Sequence, residues 1–266
     1  MLSSTWVAHH RLVTLSLGFA LLVVAVAFGV WLFLLRSPGT QVGLGQAVRQ
    51  FRAGQDTDPA AADPALPPPG VYQYRTTGGE RLSVADISRP FPATTPMVVT
   101  DSGCATMTWE PLEQHREGLV VCAGGSGALA ITSVPTEEEI AGTRTTDDLR
   151  CPARTYLVPP DATAGDRWRS VCHGSDDTVA VSGEVVGPST VTIDGRRVPA
   201  WHTELGLAYS GSQSGSNPNQ YWISSRNGMV LRQRESVSVS ERSGPFGSVH
   251  YSEQMTITLT SLRPAR

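Results

Sequence analysis

The chain has 266 residues and a formal net charge of −3. Its charges are spread without a basic patch, which excludes the electrostatic footprint of a nucleic-acid-binding protein. None of the 21 basic residues is lysine, so a P-loop lysine, a lysine Schiff base and a serine–lysine nucleophile pair are excluded as well.

The N-terminal region has the pattern of a membrane anchor. Residues 1–11 form a short polar tail, and an uncharged apolar run begins at Leu12 and ends at Leu35. As a helix this run would reach roughly 36 Å, enough to cross a hydrocarbon core of about 30 Å. It predicts an uncleaved transmembrane helix over 12–35 that contacts the bilayer; the alternative is a cleaved signal peptide.

We expect the chain after the span to lie outside the plasma membrane, as a single-pass protein with an extracytoplasmic C-terminal domain. Arginine residues follow the apolar run and count towards the opposite orientation. The four cysteines outweigh that signal, because all of them follow the run and disulfides persist in oxidising compartments.

Residues 36–69 are predicted to be a linker. They are rich in Gln, Gly, Ala, Asp and Pro, have few large apolar side chains, and end in the run Leu66-Pro67-Pro68-Pro69. Such a segment cannot bury a core, and its proline-rich end favours polyproline II.

From residue 70 to residue 266 the pattern is that of an antiparallel β domain, with short alternating runs separated by Gly, Pro, Asn and Ser. The clearest strand is the last one. Its apolar positions share one face: Val249, Tyr251, Met255, Ile257 and Leu259. The predicted fold class is therefore a single transmembrane helix plus a mainly antiparallel β domain, either a curved sheet or half-barrel meander, with a β-sandwich as the alternative.

Local turn signals refine this prediction. Asp194-Gly195 and Asn227-Gly228 both predict tight type I′ hairpins. The acidic run 135–140 predicts one or two helical turns, and the Gly/Ser/Asn-rich run 210–219 predicts a flexible loop.

The cysteines predict two disulfides. Cys104 and Cys122 flank one candidate hairpin, and Cys151 and Cys172 flank another, which favours pairing in sequence order. The alternative is one bridge between neighbouring strands and two free thiols.

Motifs for catalysis or metal binding are missing from the sequence. The run that begins at Cys172 and His173 gathers a histidine and two aspartates, but without further ligands at a defined spacing it is interpreted as a polar turn. His202 and Glu204 lie on one face of a strand and could form a general-base pair. Any solvent-facing strand shows the same alternation of polar residues, so the pattern is not specific. We therefore expect no enzyme activity, no cofactor and no metal.

The large aromatic side chains offer two interpretations. They pack the core, or some of them line an apolar groove or a partner surface. Tyr221 and Trp222 are adjacent in a strand, so only one of them can face inward. The candidate ligand or partner surface is Trp201, His202, Glu204, Tyr221 and Trp222.

A weak resemblance covers residues 178–262, and the segments 191–201, 221–223, 228–232 and the strand 251–262 carry it. This meander resembles envelope proteins of the LolA/LppX type and membrane-anchored envelope proteins of actinobacteria. The resemblance implies a curved antiparallel sheet that wraps a lipid or acyl chain. The chain departs from that type in its spanning segment and in lacking a lipidation cysteine near its start.

The function predicted from these features is a tethered, outward-facing β domain that binds an apolar ligand or an envelope component. One alternative is a structural or accessory subunit that docks onto a membrane assembly through its sheet edge or exposed aromatics. Another is a hydrolase-like enzyme without a recognisable motif. The expected partners are the bilayer and a lipid or envelope protein, and not nucleic acid.

Overall fold

The computed structural model describes residues 39–54, 63–83, 86–140, 143–242 and 247–265. These residues form one α-helix, α1 (Leu44–Ala53), and fourteen strands. The strands are β1 (Gly70–Leu82), β2 (Ile87–Pro90), β3 (Thr94–Asp101), β4 (Ala105–Leu112), β5 (His115–Ala123), β6 (Leu129–Ile140), β7 (Thr143–Arg150), β8 (Tyr156–Val158), β9 (Arg167–His173), β10 (Asp177–Ile193), β11 (Arg196–Gly211), β12 (Gln213–Ser224), β13 (Val230–Arg242) and β14 (Ser248–Leu259).

All of these strands belong to one antiparallel sheet. Its order is β14, β13, β12, β11, β10, β9, β7, β6, β5, β4, β3 and β1, with β2 beside β1 and β8 beside β6. Strand β1 also pairs with β14, from Tyr74 opposite Leu259 to Leu82 opposite Tyr251. The sheet therefore closes on itself, and the inward side chains of its strands face a common interior.

The fold class predicted from the sequence is wrong in the architecture of its sheet. The sheet is neither an open half-barrel nor a two-sheet sandwich, because the pairing of β1 with β14 joins its two ends. The transmembrane helix predicted over 12–35 lies outside the described residues, and no helix within them is long and apolar enough to cross a membrane. The antiparallel β domain itself is confirmed.

The core follows from the alternation of apolar and polar residues along the strands. In β14 the side chains of Met255, Ile257 and Leu259 are all at most 4% exposed, while their neighbours in sequence point to the other face. Removal of this apolar surface from water is the main stabilising term of the fold.

The closed sheet has one weakly paired seam, between β7 and β9. These two strands share a single pair of opposed residues, Arg150 and His173. The next residues inward, Cys151 and Cys172, form a disulfide with Cα atoms 4.3 Å apart. The covalent bond therefore joins the sheet where hydrogen bonding between neighbouring strands contributes least.

Both disulfides have the pairing predicted from sequence order. Cys104 is bonded to Cys122 across the β4–β5 hairpin, with Cα atoms 4.4 Å apart. The second bridge differs from the prediction in its setting, because β8 lies between its two cysteines in the chain and no simple hairpin joins them. The disulfides indicate an extracytoplasmic domain.

Part of the predicted linker packs on the sheet. Helix α1 contacts β1 and β3, and the side chains of Val42, Ala47 and Leu66 are each at most 3% exposed. The backbone of Val42 donates a hydrogen bond to the carbonyl oxygen of Pro111. The sequence pattern did not indicate these contacts, because few apolar side chains make them.

One of the two predicted tight turns is confirmed. Asp194 and Gly195 have φ angles of 48° and 72°, as a type I′ turn between β10 and β11 requires. In the second turn only Gly228 has a positive φ, of 63°, and the Ser224 N–H donates to the Met229 carbonyl oxygen. That turn is wider than a type I′ hairpin.

Two other local predictions are wrong. Residues 135–140 lie in β6, which pairs with β5 and β7, so hydrogen bonding on both sides outweighs the weak local preference for a helix. Most of the predicted flexible loop, from Gln213 onward, lies in β12, which pairs with β11 and β13.

Candidate functional site

The interior of the closed sheet is not completely filled. A cavity of about 100 Å³ lies between its walls, lined mostly by apolar side chains. The lining residues include Met97, Met107, Leu149, Val181, Leu205 and Met255. Cys151 and Cys172 also line the cavity, so the disulfide at the β7–β9 seam is part of its wall.

One side of the cavity is polar. We call it the polar side and define it as Glu117, Asn217, Asn219, Gln233 and Glu235, which β5, β12 and β13 contribute. These side chains point inward because they occupy the same strand faces as the neighbouring core residues.

An amide network holds Glu235 in place on the polar side. Its two carboxylate oxygens accept hydrogen bonds from Asn217 Nδ2 and from Gln233 Nε2, the latter at 2.7 Å. Asn219 Nδ2 donates to Asn217 Oδ1 at 2.8 Å. All four side chains are buried, so the network gives a fixed, hydrogen-bonded carboxylate beside an apolar space.

A second group, which we call the histidine–carboxylate cluster, adjoins the polar side and shares Glu117 with it. It consists of Glu80, His115, Glu117 and Glu253. The His115 Nδ1 atom lies 2.9 Å from Glu80 Oε2, and Glu80 Oε1 accepts a hydrogen bond from Arg89 Nη1 at 2.9 Å. Both oxygens of Glu80 are thus occupied by cationic donors.

The other half of this cluster has free polar atoms. His115 Nε2 lies 3.6 Å from Glu117 Oε1 and 3.9 Å from Glu253 Oε2, beyond hydrogen-bond distance. The Tyr251 hydroxyl donates to Glu253 Oε2 at 2.6 Å. His115 Nε2 and Glu253 Oε1 are buried without a hydrogen-bond partner among the described residues, although buried polar atoms are normally paired.

Burial and mutual repulsion dominate the electrostatics of this region. Burial, with the Glu117 carboxylate, raises the pKa of Glu235 to about 8, and the same two causes hold the pKa of Glu253 well above its usual value. Burial alone would lower the pKa of His115, but the carboxylates around it outweigh burial and raise that pKa well above its usual value. The region therefore favours added positive charge.

Donor atoms for a metal ion are present in this cluster. One ligand atom each from Glu80, His115 and Glu253 can be chosen so that all three lie within 4.8 Å of one another, and all three residues are buried. This grouping contrasts with the run after Cys172, where the structure brings no comparable set together among the described residues.

The surface predicted from the sequence is divided between the two faces of the sheet. Tyr221 is 8% exposed and lines the cavity, whereas Trp222 lies on the outer face. There the ring of Trp222 stacks on His202 with centroids 4.3 Å apart and an interplanar angle of 7°, and Arg232 lies 4.9 Å from the Trp222 ring centroid. Trp201 is partly buried against the core.

The predicted general-base pair does not form a hydrogen-bonded unit. His202 and Glu204 share the outer face of β11, but Glu204 Oε1 accepts a hydrogen bond from Gln220 Nε2 and His202 stacks on Trp222. Burial lowers the pKa of His202. The expectation that the chain has no enzyme activity stays a prediction.

The residues of the polar side and of the histidine–carboxylate cluster were not identified from the sequence. One signal was available: Glu253 lies between Tyr251 and Met255 on the apolar face of the last strand. A carboxylate in such a position must be buried, and buried carboxylates are paired, protonated or bound to a ligand. His115 is the first residue of β5, and nothing in its sequence neighbourhood distinguishes it from a turn residue.

Comparisons with known proteins give little further information. No protein-family model matches the chain, and no curated protein matches it. Among solved structures, the hypothetical lipoprotein YmcC of Escherichia coli matches with 15% identity over 81% of this chain and 97% of that chain, at a TM-score of 0.33. At these values the likeness supports neither a shared fold nor a shared function, and the resemblance to the LolA/LppX type is not confirmed.

Proposed function

We propose that the β domain is a binding protein that takes a short apolar group of a small amphipathic amine into its cavity. The observation that carries this proposal is a cavity with mostly apolar walls and two carboxylates, Glu117 and Glu235, on one side. Small-molecule sites combine these features: an apolar wall gives affinity, and a few fixed polar groups give orientation.

The charge of the cavity favours an amine over a neutral or anionic head group. Glu235 is hydrogen-bonded to neutral amides only, so its ionised form has no positive partner of its own. A protonated amine would supply that charge, and charge-assisted hydrogen bonds are stronger than neutral ones.

The volume of the cavity limits the apolar group. A cavity of about 150 Å³ accepts benzene, so about 100 Å³ suits an alkyl group somewhat smaller than a benzene ring. A full acyl chain would require the sheet to open.

The experiment compares linear primary amines of increasing length with the alcohols of the same length, by calorimetry on the purified β domain. We expect affinity to increase about fourfold per methylene, from roughly 0.8 kcal/mol for each buried CH₂, until the cavity is full. The amines should bind more tightly than the matched alcohols, and Glu235→Gln should remove that difference.

Two valine variants test whether the amine binds in the cavity. Val181 is 6% exposed and lines the cavity, whereas Val171, on the adjacent strand, is 42% exposed. Val181→Phe should block binding and Val171→Phe should leave it unchanged. Equal affinities in the two variants, or no binding of any amine to the wild type, would refute the proposal.

Binding of a lipid or an envelope protein stays a prediction. The exposed large apolar residues among those the structure describes are scattered, at Val171, Val186 and Leu262.

A further inference from the structure

Two buried polar atoms of the histidine–carboxylate cluster make no hydrogen bond to the protein residues that the structure describes. His115 Nε2 and Glu253 Oε1 have no hydrogen-bond partner among the described residues, and both residues are 1% exposed. Both atoms belong to residue types that ligate metal ions.

We propose that His115 Nε2, a carboxylate oxygen of Glu253 and Glu117 Oε1 bind one divalent transition-metal ion of the zinc class, with Glu80 as the positioning residue. The proposal does not depend on the amine ligand of the cavity. The two sites share Glu117, which lines the cavity, but the Glu235 network takes no part in metal binding.

Glu80 has the geometry of a residue that orients a metal ligand. Its Oε2 atom lies 2.9 Å from His115 Nδ1 and its Oε1 atom is bound by Arg89, so neither oxygen is free to ligate. A metal-bound histidine almost always donates its other ring N–H to such an acceptor, which fixes the tautomer and the ring orientation. The arrangement directs the lone pair of Nε2 towards Glu117 and Glu253.

The two distances from His115 Nε2 are close to the ligand separations around a tetrahedral ion. Ligand atoms about 2.0–2.1 Å from a tetrahedral metal are separated by roughly 3.3–3.4 Å from one another. His115 Nε2 lies 3.6 Å from Glu117 Oε1 and 3.9 Å from Glu253 Oε2. Each carboxylate oxygen therefore lies within a few tenths of an ångström of a ligand separation from Nε2, and metal binding requires both carboxylates to move towards the ion.

The donor set selects the class of ion. One imidazole nitrogen and two carboxylates suit zinc and its neighbours in the transition series, whereas calcium takes six to eight oxygen ligands and magnesium keeps most of its water. Three protein ligands leave a fourth position open. Since Glu117 lines the cavity and its side chain is 25% exposed, this residue offers the route by which an ion would arrive.

The competing state is a histidine that carries a proton in place of the metal. Protonated His115 would point an N–H at the same two carboxylates, so a metal ion must displace that proton when it binds. Calorimetry in buffers of different ionisation enthalpy therefore separates the two states, because metal binding at His115 releases a proton to the buffer.

The test is titration of the EDTA-treated, dialysed protein with Zn²⁺, followed by calorimetry and by metal analysis after gel filtration. We expect one equivalent to bind with release of a proton. Glu80→Gln should weaken binding by about 10–100-fold, as loss of an orienting partner does. His115→Gln and Glu253→Gln, which remove ligands, should weaken it by more than that.

The outer face of β11 supplies matched controls. His202→Gln and Glu204→Gln remove a histidine and a carboxylate that lie outside the interior, and neither should change Zn²⁺ affinity. If a variant of a fully buried ligand fails to fold, Glu117→Gln is the deciding variant, since the side chain of Glu117 is 25% exposed. Absence of Zn²⁺ binding to the wild type at millimolar concentration would overturn the proposal, as would unchanged affinity in Glu117→Gln.

Discussion

His115 and Glu80 form a charged pair in the interior of the sheet, with Nδ1 and Oε2 2.9 Å apart and side chains at most 2% exposed. Because Arg89 binds the other oxygen of Glu80, a single carboxylate neutralises two cationic side chains. Loss of the charge at Glu80 would leave both without their partner, in a region where desolvation is costly.

We therefore expect Glu80→Gln to lower the free energy of unfolding by about 3–5 kcal/mol, the range for removal of one partner of a buried ion pair. The measurement is urea denaturation followed by tryptophan fluorescence. Glu204→Gln, on the exposed face of β11, should change stability by no more than about 0.5 kcal/mol. A loss of no more than about 0.5 kcal/mol in Glu80→Gln would show that the ion pair does not contribute to the free energy of unfolding.

Stability of the metal-free protein should fall as the pH rises above about 5. Glu235 has a pKa raised to about 8, above that of a Glu in the unfolded chain, so between these values the folded state binds more protons. The stability that this protonation gives is fully present below about 4.5 and is lost as the pH rises towards 8, by up to about 1.4 kcal/mol per pH unit. His115, whose pKa is also raised, acts in the same direction.

Denaturation in EDTA at several values between pH 5 and pH 9 measures this slope. Glu235→Gln should have a shallower slope than the wild type, because the amide does not ionise, whereas Glu204→Gln should keep the slope of the wild type. Identical slopes in all three proteins would contradict the assignment. Glu80 has the opposite effect on stability. Because its pKa is lowered, the stability that its ionised form contributes is lost when the pH falls below about 4.5.

The two disulfides should differ in their effect on the cavity. They close loops of similar length, with sequence separations of 18 and 21, so each double Cys→Ser variant should lose about 3 kcal/mol of stability. Only removal of Cys151 and Cys172 frees the β7–β9 seam. We expect that variant alone to show faster amide hydrogen exchange near Arg150 and His173, and altered binding of amines. Equal exchange in the two variants would refute a special role for the seam.

Trp222 should stabilise the outer face through its ring. It stacks on His202 and lies beneath Arg232, and such contacts contribute about 0.5–1.5 kcal/mol and 0.5–1 kcal/mol respectively. Trp222→Ala should therefore cost about 1–2 kcal/mol, and it should move the pKa of His202, now lowered by burial, upwards. Histidine NMR titration measures this shift, and Trp222→Phe, which keeps a ring, is the control.

What could be predicted from the sequence depended on local chemistry. The Asp194-Gly195 turn was predictable because few dipeptides adopt positive φ at both positions, and the strand pattern was predictable because residues such as Met255, Ile257 and Leu259 alternate with polar neighbours. The disulfide pairing followed from spacing along the chain.

Closure of the sheet and the interior cluster could not be predicted in this way. Glu80, His115 and Glu253 come from three strands far apart in sequence, and only the pairing of β1 with β14 brings two of them together. The partners of Glu253 cannot be derived from its own strand. The asparagine, glutamine and glutamate side chains of the polar side likewise resemble solvent-facing residues until the register of β12 and β13 is known.

The pairing of β1 with β14 also has a consequence for how the domain folds. These strands lie at opposite ends of the described β domain, so the last row of hydrogen bonds can form only when almost all of it has been synthesised. Loop-closure entropy makes such distant pairing slow. Until β14 arrives, β1 presents an unpaired edge that can join another chain. A domain truncated before β14 should therefore aggregate rather than fold into a smaller version of the same sheet.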